Sequence, residues 1–210
     1  MTYRLDMPLE DAMRTQLAMR HLLPDPVDDD LLLHLVDLAI RAPSGKNQQK
    51  WEFIFVKDRA KVKTIGSLNA LPVKLAKPFL SRNKSKMVEG FLRQAERFEQ
   101  TPVVCIPCLW GRPAWGPLLY TSSLFGSIYP AVQNLMLAAR AAGLGTTLTT
   151  LSLWNVWKLK SVLQAPPGLT PVCVIPMGWP EKRFKENSRL PASQVFHLDR
   201  FEKKPPLQVH

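Results

Sequence analysis

The sequence predicts an α+β domain, a β-sheet flanked by helices, from a single chain of 210 residues. Three observations predict it. Apolar residues recur at helical spacing in several separate stretches, short β-branched or apolar runs stand between them, and no segment repeats. The composition is 46% hydrophobic, enough for a chain of this length to bury one core without covalent staples.

Residues 9–19 read as a first helix, and Pro24-Asp25-Pro26 punctuates the connection to a second. Asp28 is placed to cap that second helix, where Leu31, Leu32, Leu35, Leu38 and Ala39 recur at helical spacing until Pro43 stops it. Ser44, Gly45 and Asn47 then fall on a tight loop. Glycine lets a ligand approach the backbone there, while serine and asparagine offer donors and acceptors. Residues 53–56 read as a buried strand that would hold the loop rigid. Asp58 opens a helical stretch, and residues 72–100 are basic and irregular up to a helix around 87–99. Residues 101–109 are a strand in which Pro107 suits the end or a sheet edge, and 111–116 are loop.

Ser127 is placed to cap a long apolar helix, with Pro130 in its first turn and Val132, Leu135, Met136 and Ala139 on one face. Gly143 is its C-terminal cap. Residues 146–150 read as a strand leading to a Ser152-capped helix through Leu163, and 171–177 as the last strand. The tail after Arg189 has little of its own to bury, which favours packing on another subunit.

The formal net charge is +11 and the isoelectric point about 9.8. The cations are spread over residues 57–63, 74–86, 182–185 and 203–204, with no interleaved stacking aromatics and no helix-turn-helix pattern. That pattern favours a solvated basic surface that attracts anionic cofactors over a nucleic-acid interface. The three cysteines are an odd number without secretory context, so no disulfide framework is expected. Cys105-Ile-Pro-Cys108 has redox-motif spacing but lies within an apolar run, where cysteines act as small buried hydrophobes. His21, His34, His197 and His210 are scattered, so no metal site is expected. No signal-peptide pattern and no stretch of about 18 apolar residues is present, so a soluble cytoplasmic protein without membrane contact is expected.

Three blocks of sequence carry a more specific reading. The first is Ala42-Pro43-Ser44-x-x-Asn47-x-Gln49-x-Trp51, running into a strand. The second runs from Tyr129 and Pro130 through Gln133-Asn134-Leu135 to Gly143-Leu144-Gly145. The third is Val174-Ile175-Pro176-Met177-Gly178-Trp179-Pro180, with Arg189 and Pro191 beyond. In this order they resemble the nitroreductase superfamily of FMN-dependent oxidoreductases. The resemblance implies one domain over residues 1–210, with a central mixed sheet flanked by helices in an intertwined homodimer. It implies FMN at each of two subunit interfaces, a variable cap over about 70–125, and an extension over about 189–210 that wraps the partner. Trp110, Trp115, Tyr120 and Phe125 fall in the cap as candidates to line a pocket, with plain core packing as the alternative for each.

FMN presents a phosphate dianion and a ring that is anionic when reduced, so its site needs cations at both ends. The family's N-terminal motif of the type R-[RS]-S-x-R falls on Gln16-Leu17-Ala18-Met19-Arg20, which keeps only the last arginine. The resemblance assigns Arg20 to ribityl or ring oxygens and Arg189 to the phosphate, with Arg14 and His21 as candidates to compensate for the lost arginine. Losing one charged hydrogen bond costs about 1.5–3 kcal/mol. Pro43, Ser44, Gly45 and Asn47 are expected to approach FMN from the partner subunit, supported by Gln49; Lys50 stands where relatives often have proline. Thr149 and Thr150 match the loop near flavin N5, although the residues alone read equally well as two β-branched positions closing a strand.

The activity so implied is electron transfer from NADPH or NADH through flavin N5 to an organic acceptor such as a nitroaromatic or quinone, with no nucleophilic side chain. A deazaflavin donor stays open. The alternatives are a non-catalytic, flavin-sequestering protein, which Gln16, Leu17 and Ala18 favour, and the reductive-dehalogenase-like or flavin-fragmenting branches of the same superfamily.

Overall fold

The computed structural model describes residues 3–76, 97–111 and 117–201. Its sheet is organised by the apolar strand Val103–Trp110 (β2). Strand Trp51–Val56 (β1) pairs with β2 along its whole length, from Trp51 opposite Leu109 to Val56 opposite Val104. The other side of β2 is shared. Leu169–Pro171 (β4) pairs with its end and Ile175–Gly178 (β5) with its beginning, while the two-residue strand Gly145–Thr146 (β3) lies beyond β5. Every ladder among the described residues is antiparallel. A parallel contact among the described residues is the isolated bridge between Ala18 and Thr146.

Pro107 is therefore in the middle strand, not at an edge. Its carbonyl accepts from Val172 N (3.0 Å), so the missing N–H faces the break between β4 and β5 and no bond to β1 is lost. Alternation along β2 builds two cores. Val103, Cys105 and Leu109 pack with helices Asp29–Ala39 (α2) and Leu118–Ala141 (α4). Val104, Ile106 and Cys108 pack with helices Arg59–Ala76 (α3) and Val156–Leu163 (α5) on the opposite face.

Helix ends depart most from expectation. The first helix (α1) is Leu9–Thr15 and stops before residue 19, because Met19 N bonds to Thr146 O (2.9 Å) and the 18–22 segment joins the sheet edge. Asp28 occupies the cap position of α2 without a side-chain cap bond; Asp29 and Asp30 in the first turn complement the helix dipole. Helix α3 runs through Pro72 where irregular chain was expected. Proline cannot bond the carbonyl four residues back, and that carbonyl, Leu68 O, instead accepts from Trp154 Nε1 (2.8 Å). Residues 77–96, and with them most of the helix expected at 87–99, lie outside the described residues; 98–100 form a 3₁₀ turn with Phe98 buried.

Likewise α4 begins at Leu118, so Ser127 and Pro130 are interior. Ser127 is not a cap: its hydroxyl donates to Ser123 O (2.7 Å) and accepts from Gly45 N (3.1 Å). The other end matches expectation. Gly143 has φ +85°, its N–H bonds to Arg140 O, and Leu144 N bonds to Ala139 O, a Schellman closure. Beyond it the strand expected over 146–150 shrinks to β3, with Thr149 making an isolated bridge to Val174. Asn155, not Ser152, caps α5 by accepting from Lys158 N (3.0 Å). Ser152 is fully buried in the 3₁₀ turn Leu151–Asn155 before it. The last strand is split into β4 and β5, and residues 190–201 remain largely exposed.

Candidate active site

Arg20 lies exposed on a segment clamped from two sides. Met19 bonds to β3, and Thr147 Oγ1 donates to Met19 O (2.8 Å). Leu23 N bonds to Trp179 O (2.7 Å), and Glu181 N to His21 O (3.1 Å). The approach to β3 depends on Gly145, where an added Cβ would meet Met19 Cβ at 2.7 Å. After Glu181 the chain returns to α1. Asn187 N bonds to Arg14 O (2.7 Å), and its side-chain amide donates to Met13 O (2.8 Å) and Gln16 O (3.1 Å). Arg189, two residues further on, is exposed and donates to Ser188 O. Arg20 and Arg189 thus sit on segments fixed to one strip, formed by the end of α1 and the sheet edge.

Thr149 and Thr150 continue the same strip but face differently. Thr149 is buried, and its hydroxyl donates to Asn69 Oδ1 (2.9 Å) while accepting from Leu151 N (3.3 Å). Thr150 is exposed. Ser152 Oγ also reaches Asn69 Oδ1 (3.4 Å), so one buried amide on α3 fixes the whole turn. Sequence reasoning missed Asn69. Its signal was a polar residue on the face that Val62, Ile65 and Val73 bury at helical spacing.

The 43–49 loop lies elsewhere. Lys46, Asn47 and Gln49 have φ of 54°, 53° and 48°, and left-handed non-glycine residues cost about 1–3 kcal/mol each, a concentration typical of functional loops. Gln49 Nε2 donates to Asn47 Oδ1 (3.2 Å) and Gln49 N to Ser44 Oγ (3.1 Å). Gly45 is not left-handed. What it permits is close contact with α4, since a Cβ there would meet Ser123 Oγ at 2.8 Å. Pro43 is exposed at the loop's start.

The anchors of the two groups lie on one helix. Ser127 holds the loop; Arg140, thirteen residues later, donates from Nε to Thr15 Oγ1 (2.8 Å) at the end of α1. At a rise of 1.5 Å per residue they are about 20 Å apart. The segments carrying Arg20 and Arg189 are thus fixed to the strip that Arg140 meets near the C-terminal end of α4, whereas the loop of Ser44, Asn47 and Gln49 is held near the middle of that helix.

Of the aromatic candidates, Trp110 is exposed with Nε1 donating to Glu52 Oε1 (2.8 Å), and Tyr120 is exposed. Phe125 is half-buried and stacks on Tyr129 at 5.7 Å, and Trp115 is outside the described residues. The three cysteines are free and buried. Burial pushes the Cys108 and Cys173 thiols up to about 12 and Cys105 well above its ordinary value. Cys105 and Cys108 belong to different faces of the sheet, so they cannot act as a dithiol pair.

The nitroreductase family model matches residues 14–179, and the chain belongs to this family. A 5,6-dimethylbenzimidazole synthase of Rhodospirillum rubrum is 28% identical over 172 residues, covering 78% of each chain. An NADH dehydrogenase of Thermus thermophilus is 24% identical over 207 residues, covering 90% of this chain and 96% of the relative. The fold is likewise nitroreductase-like. A structure described as a nitroreductase in complex with FMN, from Desulfovibrio desulfuricans, superposes with a TM-score of 0.70 at 21% identity over 93% of this chain and 99% of its own.

Proposed function

We propose that the protein is an FMN-dependent oxidoreductase, a cytoplasmic homodimer that passes electrons from NADPH or NADH to an organic acceptor such as a nitroaromatic or quinone. The separate anchoring of the candidate residues along α4, the 43–49 loop at Ser127 and the end of α1 at Arg140, carries this reading. The loop's anchor on α4 is about 20 Å from the anchor of the cation-bearing strip, a separation that suits a 43–49 loop completing the site of a second copy.

The donor set fits FMN. Exposed guanidinium groups on the first strip suit a phosphate dianion and a ring that becomes anionic, and the strained loop presents neutral amides and a hydroxyl suited to a polar planar ligand. FMN, when bound, supplies the reversible hydride chemistry that no side chain of this site can perform. Arg189 would hold the phosphate, and Arg20 would contact ribityl or ring oxygens and oppose the negative charge of the reduced ring. Asn47, kept in place by Gln49, orients the ring from the other subunit together with Pro43, Ser44 and Gly45. Thr150 is the exposed hydroxyl of the strip beside the reacting edge, and Thr149 positions it through Asn69.

The test is direct. The purified protein should show flavin absorbance, or take up FMN on reconstitution, and should bleach when NADPH or NADH is added without oxygen. Bound flavin that never bleaches indicates a storage protein, and failure to reconstitute overturns the reading. The 28% identical relative described as a 5,6-dimethylbenzimidazole synthase favours a second reading, synthesis of that compound. Its appearance when the FMN-loaded protein is incubated in air with NADPH would select this branch.

A further inference from the structure

The first arginine of the family's N-terminal motif is replaced by Gln16, and that side chain turns its amide toward Met136 Sδ (3.9 Å). The nearby Arg14 does not stand in for it. Its guanidinium is paired with Glu10 (2.8 Å) and Glu186 (3.4 Å), and these partners raise its pKa, the Glu10 hydrogen bond most. Arg140 differs from it in every respect. It reaches from the last turn of α4 to Thr15, the residue before Gln16, using only Nε for that bond. Its guanidinium carbon sits 3.9 Å from the centre of the Phe184 ring, on the chain segment that leads to Arg189. Among the described residues no carboxylate forms an ion pair with it, and its terminal Nη nitrogens have no hydrogen-bond partner. A half-buried guanidinium, fixed by a hydroxyl and a ring and without a direct ion pair, is suited to an anion. Desolvation lowers its pKa, and the Asp11 carboxylate opposes that shift without forming an ion pair.

We infer that Arg140 replaces the missing motif arginine as a binding residue for the phosphate of the cofactor, alongside Arg189. The inference rests on the FMN reading above and adds a residue from outside the motif that the family's sequence pattern places there. Thr15 and Phe184 act as positioning residues that hold the guanidinium in place.

The experiment compares FMN with riboflavin, which lacks the phosphate, by fluorescence titration of the apo-protein at low and moderate salt. Arg140→Gln should weaken FMN binding about tenfold or more while leaving riboflavin binding unchanged, and should flatten the salt dependence. Arg140→Lys should recover part of the FMN preference, and Arg14→Gln should leave the FMN-to-riboflavin ratio as in the natural protein. An Arg140→Gln protein that keeps the natural ratio overturns the inference, as does an equal loss of affinity for both flavins, which would mark a structural role. A natural chain that binds neither flavin overturns the FMN reading itself, so the two failures are distinguishable.

Discussion

Cys105 and Cys108 are three positions apart, an odd number, so strand alternation sends one thiol into each core. Each thiol stays protonated in the fold because burial disfavours the thiolate, Cys108 and Cys173 titrating at about 12 against an ordinary 9.0. The unfolded chain releases these protons near pH 9 while the folded chain keeps them. Stability is therefore full below pH 9 and falls as pH rises toward 12, by about 1.4 kcal/mol per pH unit for each thiol. Urea midpoints at pH 7, 9 and 10.5 should show this loss, and Cys108→Ala should make it shallower by one thiol; an unchanged slope would contradict the buried titration. Asn69 illustrates the converse case, a buried polar group that is satisfied. Asn69→Ala leaves the Thr149 and Ser152 hydroxyls without their acceptor and should cost about 1–3 kcal/mol in denaturant unfolding. On the proposed reading it should also weaken flavin binding, since Thr150 loses its support. Asn69→Ala with natural stability would show that the network is dispensable.

At the level of elements, the two prolines inside helices carry most of what the sequence concealed. Proline signals a break in a local reading, yet α3 continues through Pro72 because a tryptophan eighty-two residues later takes the freed Leu68 carbonyl. This compensation predicts a coupling. Trp154→Phe leaves that carbonyl without its donor and should cost about 1–3 kcal/mol, whereas in a Pro72→Ala background the new N–H at position 72 can take the carbonyl and the cost should shrink. Additive effects in the double-mutant cycle would contradict it. Leu31, Leu35 and Leu38, Val103 to Cys108, and the Gly143 closure announce themselves because their signals lie within one or two turns of chain. Ser127 reads as a cap only while Gly45, which uses its hydroxyl, is out of view. Asn69 and Arg140 were missed for the same reason: their partners, Thr149 and Thr15, are remote in sequence.

For the whole molecule, the proposed site shared between two copies has a consequence that a site within one copy would not have. A site made of Arg20 and Arg189 from one chain and Asn47 from the other is broken by a substitution in either chain, but the two substitutions break different halves. Arg20→Ala with Arg189→Ala should abolish flavin binding in the homodimer, and so should Asn47→Ala with Ser44→Ala. When the two dead proteins are unfolded together and refolded as a mixture, about half of the dimers contain one of each, and every mixed dimer holds one intact site and one site broken on both sides. About one quarter of all sites should then bind FMN and bleach with NADPH, a recovery that neither protein shows alone. If a single chain formed the site, mixing would restore nothing, because each chain would carry its own defect to its own flavin. A zero recovery with mixed dimers present, verified by a size or affinity tag on one partner, would therefore overturn the shared site, while recovery near a quarter would fix which chain supplies the cations and which the loop.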